Sequence, residues 1–188
     1  MSDEMKAVYK YVKTNTTVSI ILSFLIIAVG IIGIISFGAP GIAAIVLGVC
    51  IILFCLYKDK TMKDQLLNLC KDEQEAAILS DFNEGKRYFK DKLIVGDTFV
   101  MGAKTGVIRK ISDIQNVYQS IHRTNGLEAW RNVVIKSLDS NGQIKKEILC
   151  HLQTKSMLTD KAPNDNELVE VVKQMVSVNP DIKLGNKG

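Results

Sequence analysis

TVSIILSFLIIAVGIIGIISFGAPGIAAIVLGVCIILFCLY, residues 17–57, holds no charged side chain. A run of this length is not needed in the core of a soluble fold of 188 residues, and it reads as membrane-embedded. The only break is Gly38-Ala39-Pro40-Gly41. Thr17–Gly38 is 22 residues, roughly 33 Å of helix against a hydrocarbon core of about 30 Å. Gly41–Tyr57 is 17 residues, roughly 26 Å, at the short end of the workable range. One helix through the whole tract would be roughly 60 Å long, twice the core thickness. Backbone groups must be satisfied internally in lipid, which puts the Gly-Pro-Gly break at an interface. Two antiparallel spans, about 17–38 and 41–57, are predicted.

The flanking charges orient them. Lys6, Lys10 and Lys13 precede the first span, Lys58, Lys60 and Lys63 follow the second, and the connecting turn has none. Lysines on one side place both termini in the cytoplasm by the positive-inside rule. The apolar run exceeds a signal-peptide core of about 7–15 residues and a second span follows at once, so an uncleaved anchor is expected. A channel or transporter is disfavoured, because no ionisable residue marks a pathway. Small residues allow close helix approach: Ala44 with Gly48 and Ser19 with Ser23 are four apart, while Gly30 and Gly33 add a smooth surface. These suit packing within the hairpin or a homo-oligomer equally.

After Tyr57 the composition changes. All but three of the 24 Lys+Arg and all but two of the 20 Asp+Glu lie in 58–188, an excess of +3 spread over a segment the size of one domain. Residues 58–85 are rich in helix formers, with apolar Met62, Leu66, Leu69, Cys70 and Leu79. They predict a partly amphipathic connecting helix continuing the second span. From residue 86 the period becomes strand-like. Turn signals at Gly96-Asp97, Lys104-Thr105-Gly106, Asn125-Gly126 and Asp139-Ser140-Asn141-Gly142 separate the runs RYFKDKLIV, TFVMG, GVIRKI, IQNVYQSIH, AWRNVVIKSL and QIKKEILCHL. Ile144, Lys146, Ile148, Cys150 and Leu152 alternate as one mostly apolar face. Six or seven antiparallel strands imply a small barrel or sandwich. Near the end, Asn164-Asp165-Asn166-Glu167 offers an N-cap and capping-box partner behind Pro163. Leu168, Val171, Val172 and Met175 then form a helical stripe, ended by Asn179-Pro180.

Antiparallel strands closed by one C-terminal helix resemble the plan of pleckstrin-homology (PH) domains. Lys92–Val95, Phe99-Val100 and Val107 through Tyr118 are similar to bacterial PH-like domains, in which a strand pair is commonly followed by a phrase of the form I-p-y-s-D-I-x-x-V/I. The ending Glu167 through Gly185 resembles that of uncharacterised bacterial small membrane proteins, which pair a two-span hairpin with a cytoplasmic PH-like domain. The resemblance implies a membrane-anchored α+β chain: segment 1–16, hairpin 17–57, connecting helix 58–85 and PH-like domain 86–188, held in a bacterial plasma membrane. It brings no catalytic residue and no activity. Ser112-Asp113 is expected to bond backbone amides and turn the chain into the strand after it.

Candidate chemistry is sparse. Cys50 and Cys55 lie in the second span and Cys70 and Cys150 far apart, without ligand spacing, so neither a zinc site nor a disulfide is expected. Cys150 and His151 are neighbours, which on a strand face opposite ways; a dyad would need Cys150 with His122. Gly102-Ala-Lys-Thr-Gly106 lacks P-loop spacing and reads as a turn, and no other motif points to an enzyme or a cofactor. Lys86, Arg87, Lys90, Lys92, Lys104, Arg109 and Lys110 could form a basic face for anionic headgroups, though Glu84, Asp91 and Asp97 are interspersed. Nucleic acid is not expected, for want of a dense basic run with aromatics. The reading is a non-enzymatic interaction module in the bilayer that binds a protein partner, with anionic-lipid sensing and homo-oligomeric assembly as alternatives.

Overall fold

The computed structural model describes residues 2–71, 74–124, 127–139, 142–152 and 165–185. By internal contacts the chain divides into two units. One is Thr14–Asn68; the other joins Met1–Lys13 to Leu69–Gly188.

The first unit contains α2 (Thr17–Phe37) and most of α3 (Ala39–Lys71). Gly38 alone separates them, at φ 67 and ψ −114, a conformation open to glycine and costly for other residues. Pro40 falls in the first turn of α3, where its missing N–H would be unpaired anyway. The break is thus one residue, and the second helix does not stop at Tyr57: it runs unbroken through the polar segment to Lys71. Thr17–Ser36 and Ala39–Cys70 are long and apolar enough to cross a membrane, and only 11% and 17% of their apolar windows are buried. A Cβ on Gly41 would overlap the Ile34 nitrogen and press on Gly33, one on Gly30 would meet Ile45, and one on Gly48 would meet Ile27 and the Ser23 carbonyl. Positions rising along α3 therefore meet positions falling along α2, and the pair is antiparallel at near-backbone contact.

The second unit starts with α1 (Asp3–Val12). Ser2 caps it by accepting from the Met5 N–H at 3.3 Å, Asp3 and Glu4 occupy its first turn, and Met5, Val8 and Val12 are buried along one stripe. After α3 comes α4 (Glu75–Glu84), so the predicted connecting helix is the end of α3 plus a separate helix. Two four-stranded sheets follow. The first, in order β1-β2-β3-β4, contains Lys86–Tyr88, Leu93–Val95, Phe99–Gly102 and Val107–Lys110, all antiparallel. The second, in order β7-β6-β5-β8, contains β5 (Ile114–Thr124), β6 (Leu127–Leu138), β7 (Ile144–Leu152) and β8 (Lys183–Leu184). Its β5-β6 and β6-β7 pairs are antiparallel, whereas β8 runs parallel to β5 for two residues. Helix α5 (Asp165–Val178) lays Val171 and Met175 into the core, with Leu168, Val172 and Val176 packed against it.

The sheets do not close into a barrel. A 3-10 turn at Ile111–Asp113 interrupts the chain between β4 and β5, and each strand belongs to a different sheet. That turn is not held by Ser112 and Asp113 bonding to amides; Ser112 Oγ instead donates to Asp113 Oδ1 at 3.2 Å. The brace comes from Asn179, just after α5, whose Nδ2 donates to the carbonyls of Ile111 (2.9 Å) and Ile114 (3.1 Å). Where β4 and β7 approach, the link is through side chains: Arg109 Nε and Nη2 donate to both oxygens of Glu147 at 2.5 and 2.6 Å.

Two expectations shift by a residue or more. RYFKDKLIV is a hairpin, not one strand, because Phe89, Lys90 and Asp91 all take positive φ (55, 57 and 60) between β1 and β2. In β7, Val133 pairs with Cys150 and Val134 with Ile148, so Leu149 is an extra residue. This bulge puts Leu149 and Cys150 both in the core and leaves Ile144 64% exposed, overturning a single Ile144-to-Leu152 face. The Asn125-Gly126 turn and the Pro163-Asn164 cap lie outside the described residues. Glu167, expected to cap α5, accepts from the Phe89 N–H at 2.7 Å and so pins the β1-β2 turn.

Candidate functional site

The β1-β2 and β3-β4 turns share one end of the first sheet. Leu93 is opposite Gly102, and the Ala103 N–H donates to the Lys92 carbonyl at 2.9 Å. Helix α1 ends against them. Its last carbonyls, which have no partner inside the helix, accept from the β3-β4 turn: Lys104 N–H to Tyr11 O at 2.9 Å and Gly106 N–H to Val12 O at 2.8 Å. Tyr11 Oη donates to the Asp91 carbonyl at 3.0 Å, and its ring meets that of Phe82 edge-on at 5.6 Å. Burial raises the Tyr11 phenol above its usual range, with Arg87 opposing and Asp91 adding to the shift. On α4, Asp81 is buried and accepts from the N–H groups of Asp97 (3.0 Å), Thr98 (3.0 Å) and Phe99 (2.6 Å), shaping the β2-β3 turn.

This geometry sorts the seven basic positions. Lys86 pairs with Glu170 at 2.9 Å on the surface, and that hydrogen bond raises its pKa. Arg87 lies over the Phe82 ring, donates to the Phe82 carbonyl at 3.1 Å and approaches Asp91 at 3.8 Å. Lys92 Nζ donates to the His151 carbonyl at 3.2 Å. Arg109 is neutralised by Glu147, which also takes Lys145 at 2.9 Å. Lys110 pairs with Phe99 at the far end of β4 from Lys104. The seven residues therefore do not converge. Lys90 and Lys104, both at positive φ on adjoining turns, remain as exposed cations beside the end of α1.

The histidine–cysteine pair is not assembled. His122 pairs with Trp130 and Cys150 with Val133; three positions along β6 put them on opposite faces. Cys150 is buried and its thiol is pushed up to about 12, mainly by that burial, with the Val133 backbone and Lys92 opposing. His151 Nδ1 lies 2.7 Å from Asn132 Oδ1. Among the described residues no three His, Cys, Asp or Glu gather at metal-binding distance.

Within the apolar hairpin Ser23 is fully buried, its Oγ donating to the Ser19 carbonyl at 2.6 Å. Gly30, Gly33 and Gly48 line the seam with it, Ala44 is half-buried and Ser19 is exposed. Of the hairpin glycines, Gly41, at the predicted break, has the closest approach.

Two features escaped the sequence. One is α1, whose Ser2 cap and 3–4 residue apolar spacing are visible in hindsight. The other is the outer end of the β5-β6 hairpin, where His122 stacks on Trp130 at 3.9 Å with planes 6° apart and Trp130 is 51% exposed. The class defined by these elements is an apolar helical hairpin joined to a two-sheet unit packed with helices α1, α4 and α5. No family model, curated protein or solved structure matches the chain.

Proposed function

We propose that this chain is a membrane-anchored interaction module: the hairpin crosses a bacterial plasma membrane with both termini in the cytoplasm, and the sheet unit, PH-like in plan, offers a surface to a protein partner. The observation that carries this reading is the contrast in exposure. Only 11% and 17% of the apolar windows of α2 and α3 are buried, as suits a lipid surround, whereas the sheet unit gathers most of its large apolar residues into a closed core. A four-stranded sheet, three further antiparallel strands and a C-terminal helix support the PH-like likeness. Photocrosslinking residues placed across the sheet unit of the full chain, in native membranes, test the proposal. Discrete protein adducts from sheet-unit positions are expected; adducts from hairpin positions alone, or labelling of Ser2→Cys from the outside, would refute it.

A second reading has its own observation. Lys90 and Lys104 adjoin the end of α1, and α1 is separated from α2 by only four residues, 13–16. That tether keeps the lysines near any surface α2 enters, where each cation contributes about 1 kcal/mol toward anionic lipid. A polarity-sensitive dye on Lys90→Cys, with the full chain in vesicles with and without phosphatidylserine, should shift only with anionic lipid; identical spectra would remove this reading. Homo-oligomeric assembly is the third proposal, and crosslinking of the full chain to itself addresses it.

A further inference from the structure

We propose that the free edge of β5, from Gln119 to Thr124, receives an extended acidic segment of a partner protein as an added strand. The proposal rests on the interaction-module reading and names the surface and the partner's chemistry.

Pairing parity decides which backbone groups are on offer. β5 is bonded along one side by β6, but on its other side β8 covers only Asn116 and Val117. The Gly185 N–H donates to the Val117 carbonyl, so residue 117 points its polar backbone groups toward β8. N–H and C=O of one strand residue share a side, and the direction alternates. Gln119 and Ile121 therefore direct theirs to the same side as Val117, where among the described residues no strand meets them. Ile121 through Thr124 are exposed, so the edge is open. An unpaired row of this kind is a template for another chain.

Side chains specify the occupant. Arg123, cross-strand from Glu128, stands at one end of the edge and Lys183 of β8 at the other, and both are exposed. Within the edge, Gln119 buries an Nε2 donor that has no acceptor, while its Oε1 accepts from Arg131 at 3.0 Å. Carboxylates near both ends of an added strand complement these cations. Apolar side chains at consecutive positions between those carboxylates would find Ile121, 39% exposed, on one face and the His122–Trp130 stack on the other. A cationic segment is opposed by the same charges.

The probe is a fluorescent nine-residue peptide of valines flanked at each end by two glutamates, titrated by anisotropy against the full chain in nanodiscs. A valine–lysine counterpart tests charge, and alternate backbone N-methylation of the glutamate peptide removes strand bonding without touching the protein. The glutamate peptide should bind, with each modified peptide about tenfold weaker or worse. Arg123→Glu should shift preference toward the lysine peptide. Ile121→Pro should leave the fold intact and abolish binding, because that N–H faces the open side. Equal binding of the N-methylated peptide, no binding of the glutamate peptide, or unchanged preference in Arg123→Glu would overturn the proposal. Protein adducts from Lys90 or Lys104 positions, with none from Ser120 or Thr124, would leave the module standing and remove this edge from it.

Discussion

The hairpin and the sheet unit bring backbone together by opposite means. In the hairpin, Gly30, Gly41 and Gly48 remove side chains so that helices touch main chain to main chain, and large apolar groups such as Val18, Ile35 and Phe54 face outward. In the sheet unit most large apolar groups face inward, and the carboxylates enclosed with them are bonded: Asp81 to three amides, Glu147 to Arg109. With the hairpin in lipid as proposed, the difference is one of solvent. Where the surroundings are as apolar as the interior, hiding leucine gains nothing and close contact must do the work. Where they are water, burial drives folding and every enclosed polar group needs a partner.

The comparison is most exposed to failure at Asp81. Asp81→Ala strands three amides of the β2-β3 turn and should cost about 4 kcal/mol, read by urea unfolding of the full chain with Trp130, its single tryptophan, as reporter. An unchanged midpoint would mean that water replaces the carboxylate there. Arg109→Ala leaves a 9%-exposed Glu147 with Lys145 and the Ser137 hydroxyl and should cost about 3 kcal/mol, most of it recovered when Glu147→Leu is added. In the hairpin, Gly41→Val should cost about 2 kcal/mol through overpacking. It would open α2 from α3, slowing the chain on denaturing gels, while the Trp130 transition stays put. A common shift in both would show that the two units are not independent.

Smaller effects come from titration. The Cys150 thiol, pushed up to about 12 from 9.0, keeps its proton in the folded chain while the unfolded chain loses it above pH 9. Its contribution is fully present below pH 9 and declines as pH climbs toward 12, by at most about 1.4 kcal/mol per unit. Cys150 should also resist alkylation at pH 8 until the chain is unfolded. Smallest of all, Lys86→Ala should leave the unfolding midpoint where it is, since its pair with Glu170 is surface-exposed and screened.

Much of this architecture was legible in advance because it follows local periodicity. The apolar tract, the strands from Phe99 to Leu152 and the stripe of α5 all obey a fixed repeat, and turn residues punctuate them. The errors fall where one residue departs from the repeat. Phe89-Lys90-Asp91 makes a left-handed turn without glycine or asparagine, so nothing announced a hairpin. Leu149 adds one residue to a strand, and everything before it changes face. The basic site failed for another reason: spacing along the chain carries no record of Glu147, Glu170 or the His151 carbonyl, which meet their cations only once the sheets have packed. Asn179 could be read as a helix stop but not as the brace of a turn some 65 residues earlier.

Gly38 carries a consequence of a different kind. It turns the chain from α2 to α3 within one residue, and no neighbour lies within 4 Å of where its side chain would be. With the hairpin inserted as proposed, the outer surface of the cell would hold neither a loop for a protease to cleave nor an epitope for an antibody to grip. To an observer outside, this protein would be nearly invisible, and any message it carries would have to arrive through the lipid or from within.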